Sequence, residues 1–432
     1  MGILRNNTFD IAYDRLDGSQ KCPIQSNSEY ILIKAPAGSG KTTVLTTAIA
    51  TYRYEHLNDR ICAITYTRAA RAEMETRLQE MGIYDVEVTT IHVWCRNLLH
   101  DFALKYDFQV RILEEADIKA ILQDVVRNYL IRSRLKSINV DVLYSWITGN
   151  KRMDITDNYK KALIALEDRY IKYKRDNNLY DFTDYPLYLF DVMEAYNESI
   201  NNIDALFVDE FQDVDPYQLE IFSKVYSNKK FFIGDQWQSI YTFRGADGDA
   251  FNKLENFDEF KLKYNYRSYQ EIIDYATTVY EALRNSPKDG YISMITYSLP
   301  SKIQCIKDYG GTVTVVDPYG DATVFHNHTA HNISTSSEVK HQLLDFLSTM
   351  PQILCRTNKQ VKTIQQQTAY SVSTVHQAKG LEYDNVLVID STMNDMEDLN
   401  IAYVALTRAR NNLFVINWNL FVDLLNLKLT RW

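Results

Sequence analysis

Short apolar runs rich in β-branched and aromatic residues alternate with helical patterns along most of this chain. That rhythm constrains its fold more than any other feature. "YILIKA" (Tyr30–Ala35), "ICAITYT" (Ile61–Thr67), "VEVTT" (Val86–Thr90), "DALFVDE" (Asp204–Glu210) and "KKFFIGD" (Lys229–Asp235) read as strands. "KTTVLTTAIATY" and "AARAEMETRLQEMG" read as helices, the second stopped by Gly82. Strands of this length interleaved with helices indicate βαβ units and a parallel sheet. A second set follows: "GGTVTVVD" (Gly310–Asp317), "QILCRT" (Gln352–Thr357) and "NVLVID" (Asn385–Asp390), with "SSEVKHQLLDFLSTM" and "LNIAYVALTRAR" as helices. The expected architecture is α/β, with two parallel sheets split near Asn265. From about His100 to Asp181 the pattern is helical, rich in Tyr, Arg and Lys, with no β-run. It reads as a helical insertion in the first sheet domain. "DPYGDATVFHNHTAHNISTSS" reads as a loop.

Composition narrows the class. The 432 residues exceed one core of common size, so two or more domains are expected. No apolar run is long enough to span a bilayer, and "MGILRNNTFD" lacks a signal-peptide core. The expectation is a cytoplasmic protein without a membrane partner, nucleoid-associated if the source is a bacterium or phage. Cys22, Cys62, Cys95, Cys305 and Cys355 are scattered without a C-x-x-C pair, which argues against a zinc ribbon, an iron–sulfur site or a disulfide framework. Net charge is −9, so any nucleic acid must bind in a local groove. His326, His328 and His331 form H-x-H-x-x-H, but no Cys or acidic partner is close, and a solvated loop is the ordinary reading.

"APAGSGKTT" misses the strict phosphate-loop pattern by one letter, Ala35 standing where a Gly is expected. Its flanks are nevertheless a strand and a helix. Ala37, Gly38, Ser39, Gly40, Lys41, Thr42 and Thr43 would cradle the phosphates at a helix N-terminus, with Lys41 reaching the β/γ-phosphates and Thr42 holding Mg²⁺. The alternative is a Gly-rich turn with an exposed Lys. "LFVDEFQD" ends a second strand in acid: Asp209 can hold Mg²⁺, and Glu210 can orient and deprotonate an attacking water. Positive charge at the γ-phosphate would come from Arg267 in "KYNYRS" and Arg408 in "YVALTRAR", read as lying on a helix; the alternative is ordinary surface arginines.

In order, these pieces resemble the UvrD/PcrA/Rep branch of superfamily 1 (1A) DNA helicases. "APAGSGKT", "TYTRAARAEM", "TIHVWC", "YDFTDY", "VDEFQD", "GDQWQSIYTFRGAD", "NYRS", "CRTN", "STVHQAKGLEYDNV" and "YVALTRAR" are each similar to a motif of that family. The resemblance implies two RecA-like P-loop domains: 1–99 with 182–264, and 265–432, the insertion being 100–181. It implies ATP and Mg²⁺ as cofactors, and single-stranded DNA and ss/ds junctions as partners. It assigns Gln20 and Tyr266 to the adenine, Glu382 to the ribose and phosphates, Gln238 to γ-phosphate sensing, and Arg267 and Arg408 to the arginine fingers. Thr65, Tyr66, His92, Tyr241, Phe243, Arg244, Thr374 and His376 fall where the family lines its strand groove; core packing is the alternative for Tyr241 and Phe243.

Two departures stand out. The family's large mobile subdomain would lie between Arg356 and Thr374, which are too close to admit it. Leu399 and Asn400 replace arginines that relatives often carry before the last motif. The implied activity is ATP-driven 3′→5′ translocation with duplex unwinding. A translocase that remodels protein–DNA complexes with little unwinding, and a P-loop ATPase switch without motor activity, are the alternatives.

Overall fold

Strands buried on both faces need apolar side chains at every position, and the central strands of the first sheet meet that requirement. Ile61–Thr65 and Ala205–Val208 are buried throughout. The structure, a computed structural model, describes residues 6–130, 137–148, 157–240, 246–247, 249–285, 303–308, 310–316, 321–327, 329–390 and 396–427. Across the first sheet the order is Glu87–Thr90, Ile61–Thr65, Ala205–Val208, Lys229–Gly234, Tyr30–Lys34, Asp258–Lys261. The first three adjacent pairs in that order are parallel, as the βαβ rhythm requires. Helices Ile91–Tyr106 and Tyr185–Ala195 bury Trp94, Leu99, Leu189 and Met193 in the same core as the strands.

Helices Glu115–Leu130, Val140–Ile147 and Asp157–Asp176 share a separate core built around Leu122, Leu143, Trp146, Leu163 and Tyr170. The expectation of no β-structure here needs correction. Ile112–Leu113 and Tyr180–Asp181 form a short parallel pair. Two-residue strands carry too little apolar sequence to register as a β-run. Lys174, buried beside this pair, bridges Asp181 (2.8 Å) and Asp184 (2.5 Å).

The second sheet has seven strands in the order Thr329–Ile333, Ala322–His326, Thr312–Val316, Ala409–Asn417, Tyr383–Asp390, Gln352–Cys355, Val372–Thr374. Its five strands from Thr312–Val316 onward pair in parallel. The stretch expected as a loop is instead an antiparallel hairpin, Ala322–His326 with Thr329–Ile333. Its polar letters hide a first strand in which Ala322, Thr323 and Phe325 are buried. His326 and His331 lie on these two strands and His328 lies outside the described residues; no metal-binding group of three appears among the described residues. The last helix of the pattern also ends earlier than expected, at Leu406. Thr407 and Arg408 form a turn and Ala409–Asn417 is a strand. Between Cys355 and Val372 the chain places one helix, Asn358–Gln365.

By its internal contacts the chain divides into two units, 1–33 with 42–233 and 241–260, and 34–41 with 234–240 and 261–432. Residues 34–41 fall in the second unit because their backbone is bonded there: Leu262 N donates to the Lys34 carbonyl (3.1 Å) and Tyr266 N to the Gly38 carbonyl (2.8 Å). No helix among the described residues is long and apolar enough to cross a membrane.

Candidate functional site

The loop 34–41 owes its shape to two glycines and one asparagine. Ala35 is buried, and its N–H donates to the Gly234 carbonyl at 2.9 Å, which continues the strand pairing by one residue. Gly38 and Gly40 then take φ of +69° and +79°, where a side chain is strained. At Gly38 space is a second constraint: a Cβ would stand 2.5 Å from Asn265 Nδ2 and 2.9 Å from Arg267 Cβ. Asn265 is fully buried and works from both ends of its amide. Nδ2 donates to the Ala37 carbonyl (2.6 Å), while Oδ1 accepts from the N–H groups of Arg267 and Ser268 (2.8 Å each). Side-chain amides of this kind fix turns by replacing backbone partners.

Arg267, on the strand Tyr264–Tyr269, donates from Nε to Glu382 Oε2 at 2.5 Å. Arg410 binds the other oxygen of the same carboxylate, its Nε at 3.0 Å from Oε1. Burial pushes the Glu382 carboxyl up, but the bonds and charges of Arg410 and Arg267 outweigh it and hold the group below its ordinary range. Arg408 is buried in its turn. It donates to the carbonyls of Val404 and Leu381 (3.0 Å each) and to Gln238 Oε1 (3.3 Å).

Gln238 closes the short 3₁₀ turn Gln236–Gln238, and its Nε2 donates to Asp235 Oδ2 at 2.7 Å. Two further donors reach the backbone beside it: Lys379 Nζ to the Gln238 carbonyl (3.0 Å) and Asn400 Nδ2 to the Ser239 carbonyl (2.7 Å). Trp237 stacks on Tyr280 at 4.6 Å and meets the ring of Tyr403 edge-on at 5.2 Å.

Lys41–Glu55 is the helix that follows the loop, so Lys41, the last residue of 34–41, and Thr42, in the first unit, stand in its first turn. Arg77 Nη1 donates to Thr43 Oγ1 at 3.0 Å. Asp209 is buried just beyond its strand, where its N–H donates to the Ile64 carbonyl (2.9 Å) and its Oδ1 accepts the N–H of Glu210 (2.8 Å). Glu210 adopts φ +49°, ψ +43°, a left-handed conformation that costs a non-glycine residue about 1–3 kcal/mol. Its Oε2 accepts from Gln212 Nε2 at 2.5 Å. A hydroxyl and a carboxylate are the oxygen donors that suit Mg²⁺, so Thr42 and Asp209 fit such an ion. Gln20 is the third residue of the helix Gly18–Gln25, its Oε1 accepting from the N–H of Asp17 (3.1 Å) in a capping box.

The residues expected against a strand are placed unevenly. Tyr66 is half-buried and donates its hydroxyl to Gln218 Oε1 at 2.7 Å. His92 stacks on the exposed ring of Phe182, centroids 5.1 Å apart and planes 11° from parallel. Thr65 is fully buried, its Oγ1 donating to the Thr67 carbonyl (3.3 Å), so it shapes the turn from within rather than offering a surface. In the second unit Thr374 caps the short helix Val375–Ala378, which carries His376. Tyr241, Phe243 and Arg244 lie outside the described residues.

Residues 16–259, more than half of the chain, match the UvrD/REP helicase N-terminal domain, and residues 325–419 match the UvrD-like helicase C-terminal domain. The chain belongs to the UvrD/Rep helicase family. Among the relatives of this UvrD/Rep-family chain, a "Probable DNA helicase" of Mycoplasma pneumoniae is 25% identical, the match covering 94% of the chain and 83% of that protein. A "Probable DNA helicase II homolog" of Mycoplasma capricolum is 29% identical over 62% of the chain, and "ATP-dependent DNA helicase PcrA" of Staphylococcus aureus 28% over 62%. In these last two the match spans 41% and 40% of the relative's length.

Five residues of this family member were given no site role in the sequence reading: Arg77, Asn265, Lys379, Asn400 and Arg410. Asn265 bonds a carbonyl 228 positions away, and Asn400 one 161 positions away, so no local pattern could have shown their partners. Arg410 carried a signal, since it repeats the Arg of "TRAR" two places on.

Proposed function

We propose that this chain is an ATP-dependent motor on single-stranded DNA, moving 3′→5′ and opening duplex at ss/ds junctions. One observation carries the reading: Arg408 is bonded to Gln238, joining an expected arginine finger to the expected γ-phosphate sensor at 3.3 Å. A P-loop switch has no use for such a pair. The proposed division of labour assigns 1–99 with 182–264 and 265–432 to the two motor domains and 100–181 to an insertion.

Lys41 and the loop N–H groups would bind the β/γ-phosphates, with Gln20 and Tyr266 at the adenine and Glu382 near the ribose. Thr42 and Asp209 would hold Mg²⁺, which neutralises phosphate charge when bound. Glu210 would orient the attacking water and take its proton, while Arg267 and Arg408 stabilise charge on the transferring group, a contribution of roughly 10³–10⁵ in rate. Arg267 is held by Glu382 here, so it must exchange that partner for phosphate. Tyr66, His92, Tyr241, Phe243, Arg244, Thr374 and His376 would face the strand, aromatic stacking contributing roughly 1–3 kcal/mol per base without sequence preference. Thr65 would act from behind them. The cytoplasm, on the nucleoid in a bacterium or phage-infected cell, is the proposed location.

A second reading is favoured by the single short helix between Cys355 and Val372. A motor without the large subdomain could translocate and remodel protein–DNA complexes while unwinding poorly. ATPase activity with and without single-stranded DNA, on wild type and Glu210→Gln, tests the motor; absence of stimulation in wild type rejects it. Strand displacement on 3′-tailed and 5′-tailed duplexes tests polarity and separates helicase from remodeller.

A further inference from the structure

Gln238 and Ser239 are gripped by three side chains from the last third of the chain. Lys379 holds the Gln238 carbonyl at 3.0 Å, Arg408 holds the Gln238 side chain at 3.3 Å, and Asn400 holds the Ser239 carbonyl at 2.7 Å. The first two follow from charges aimed at a phosphate-sensing Gln. Asn400 does not, because it is neutral and touches the neighbouring peptide instead. It lies on the helix Met396–Leu406, whose end leads into Arg408. Among the described residues its Oδ1 is buried without a hydrogen-bond partner. A buried acceptor left unpaired is unfavourable, so the donor Nδ2 is what holds the side chain there.

We propose that Asn400 is a positioning residue that ties the Met396–Leu406 helix to the Ser239 peptide, so that a displacement of Arg408 by phosphate is carried into the chain beyond Gln238. Tyr241, assigned above to the strand, follows Ser239 by two residues in sequence. Without the Asn400 bond the helix still delivers Arg408 to the site, but the backbone on the strand side of Gln238 is no longer pulled with it. Hydrolysis and strand binding then lose their mutual dependence. This inference rests on the motor reading.

The test uses the full chain and two variants, Asn400→Asp, which replaces the donor by an oxygen of the same shape, and Asn400→Ala, which removes donor and unpaired acceptor together. ATP turnover is measured with and without oligo-dT, alongside the thermal midpoint. In both variants the ratio of stimulated to unstimulated kcat should fall at least about fivefold, the lower end of ordinary coupling energies. KM for ATP should stay within about twofold, the mark of an interaction that is not ground-state nucleotide binding. Asn400→Ala should keep its thermal midpoint within about 4 °C, because the lost bond is offset by the lost orphan. If Asn400→Asp does not fold, Asn400→Ala decides. A wild-type ratio in a folded variant overturns the inference, and so does an equal loss with and without DNA, which would place the fault in hydrolysis. A wild type that DNA does not stimulate rejects the motor reading itself.

Discussion

Asn265→Ala isolates the side chain that shapes the loop 34–41, the proposed nucleotide site. It removes one donor and one acceptor from a fully buried position and strands three groups: the Ala37 carbonyl and the N–H groups of Arg267 and Ser268. Each buried group left unpaired costs about 1–3 kcal/mol, so even the lower figure gives a loss of about 3 kcal/mol. For a cooperative unit of this size that lowers the thermal midpoint by roughly 6–12 °C. Asn265→Asp separates the two ends of the amide. Its carboxylate still accepts from Arg267 and Ser268, but opposes the Ala37 carbonyl with an oxygen. The expected result is a smaller fall in midpoint than for Asn265→Ala, accompanied by a rise in KM for ATP. Differential scanning calorimetry and steady-state ATPase assays, run on both variants, read these effects. A midpoint loss under about 2 °C for Asn265→Ala, less than 1 kcal/mol at this size, would refute the claim that the three bonds are made in solution.

Other substitutions probe neighbouring parts. Ala35→Gly should leave ATPase within about twofold, since Ala35 only ends a strand, whereas Lys41→Ala should abolish it. Glu382→Gln should flatten the acid limb of the stability profile. The wild-type carboxyl is depressed when folded, so its contribution is complete above the unfolded pKa and is lost as pH falls through the folded one. Thermal midpoints from neutral to acid pH should converge for the two proteins as the carboxyl is protonated. Tyr66→Ala should weaken single-stranded DNA binding by roughly 1–3 kcal/mol, and Tyr66→Phe, which loses only the bond to Gln218, by less. Fluorescence anisotropy with a labelled oligonucleotide distinguishes them.

The strands that sequence made visible are those with continuous β-branched or aromatic runs, such as "ILIK" and "ALFV". Burial on both faces forces that composition. Ala409–Asn417 was hidden because "ARNN" opens a strand with polar letters directly after a helical motif. The hairpin Ala322–Ile333 was hidden because its second strand is exposed apart from a half-buried Ile333, and its residues are largely polar. The residues proposed to carry chemistry stood out by type and spacing, Gly38, Gly40, Lys41, Asp209 and Glu210 among them. What they lean on did not. Glu382 reads as an acid in "KGLEYD", and only the fold reveals that two arginines share its carboxylate. Thr65 matches a motif by letter, yet its burial turns its hydroxyl inward.

The helix Asn358–Gln365 connects Gln352–Cys355 to Val372–Thr374, neighbours in one parallel sheet. Both ends of this crossover are therefore anchored in adjacent strands spaced about 4.8 Å apart, whatever lies between them. The entropic penalty for closing a longer excursion grows only with the logarithm of its length. A whole accessory domain could thus be spliced in or deleted here without disturbing the pairing of Ile353 with Val372. The crossover is a socket: evolution, or an engineer, can exchange what is inserted at this point and leave the sheet beneath it unaltered.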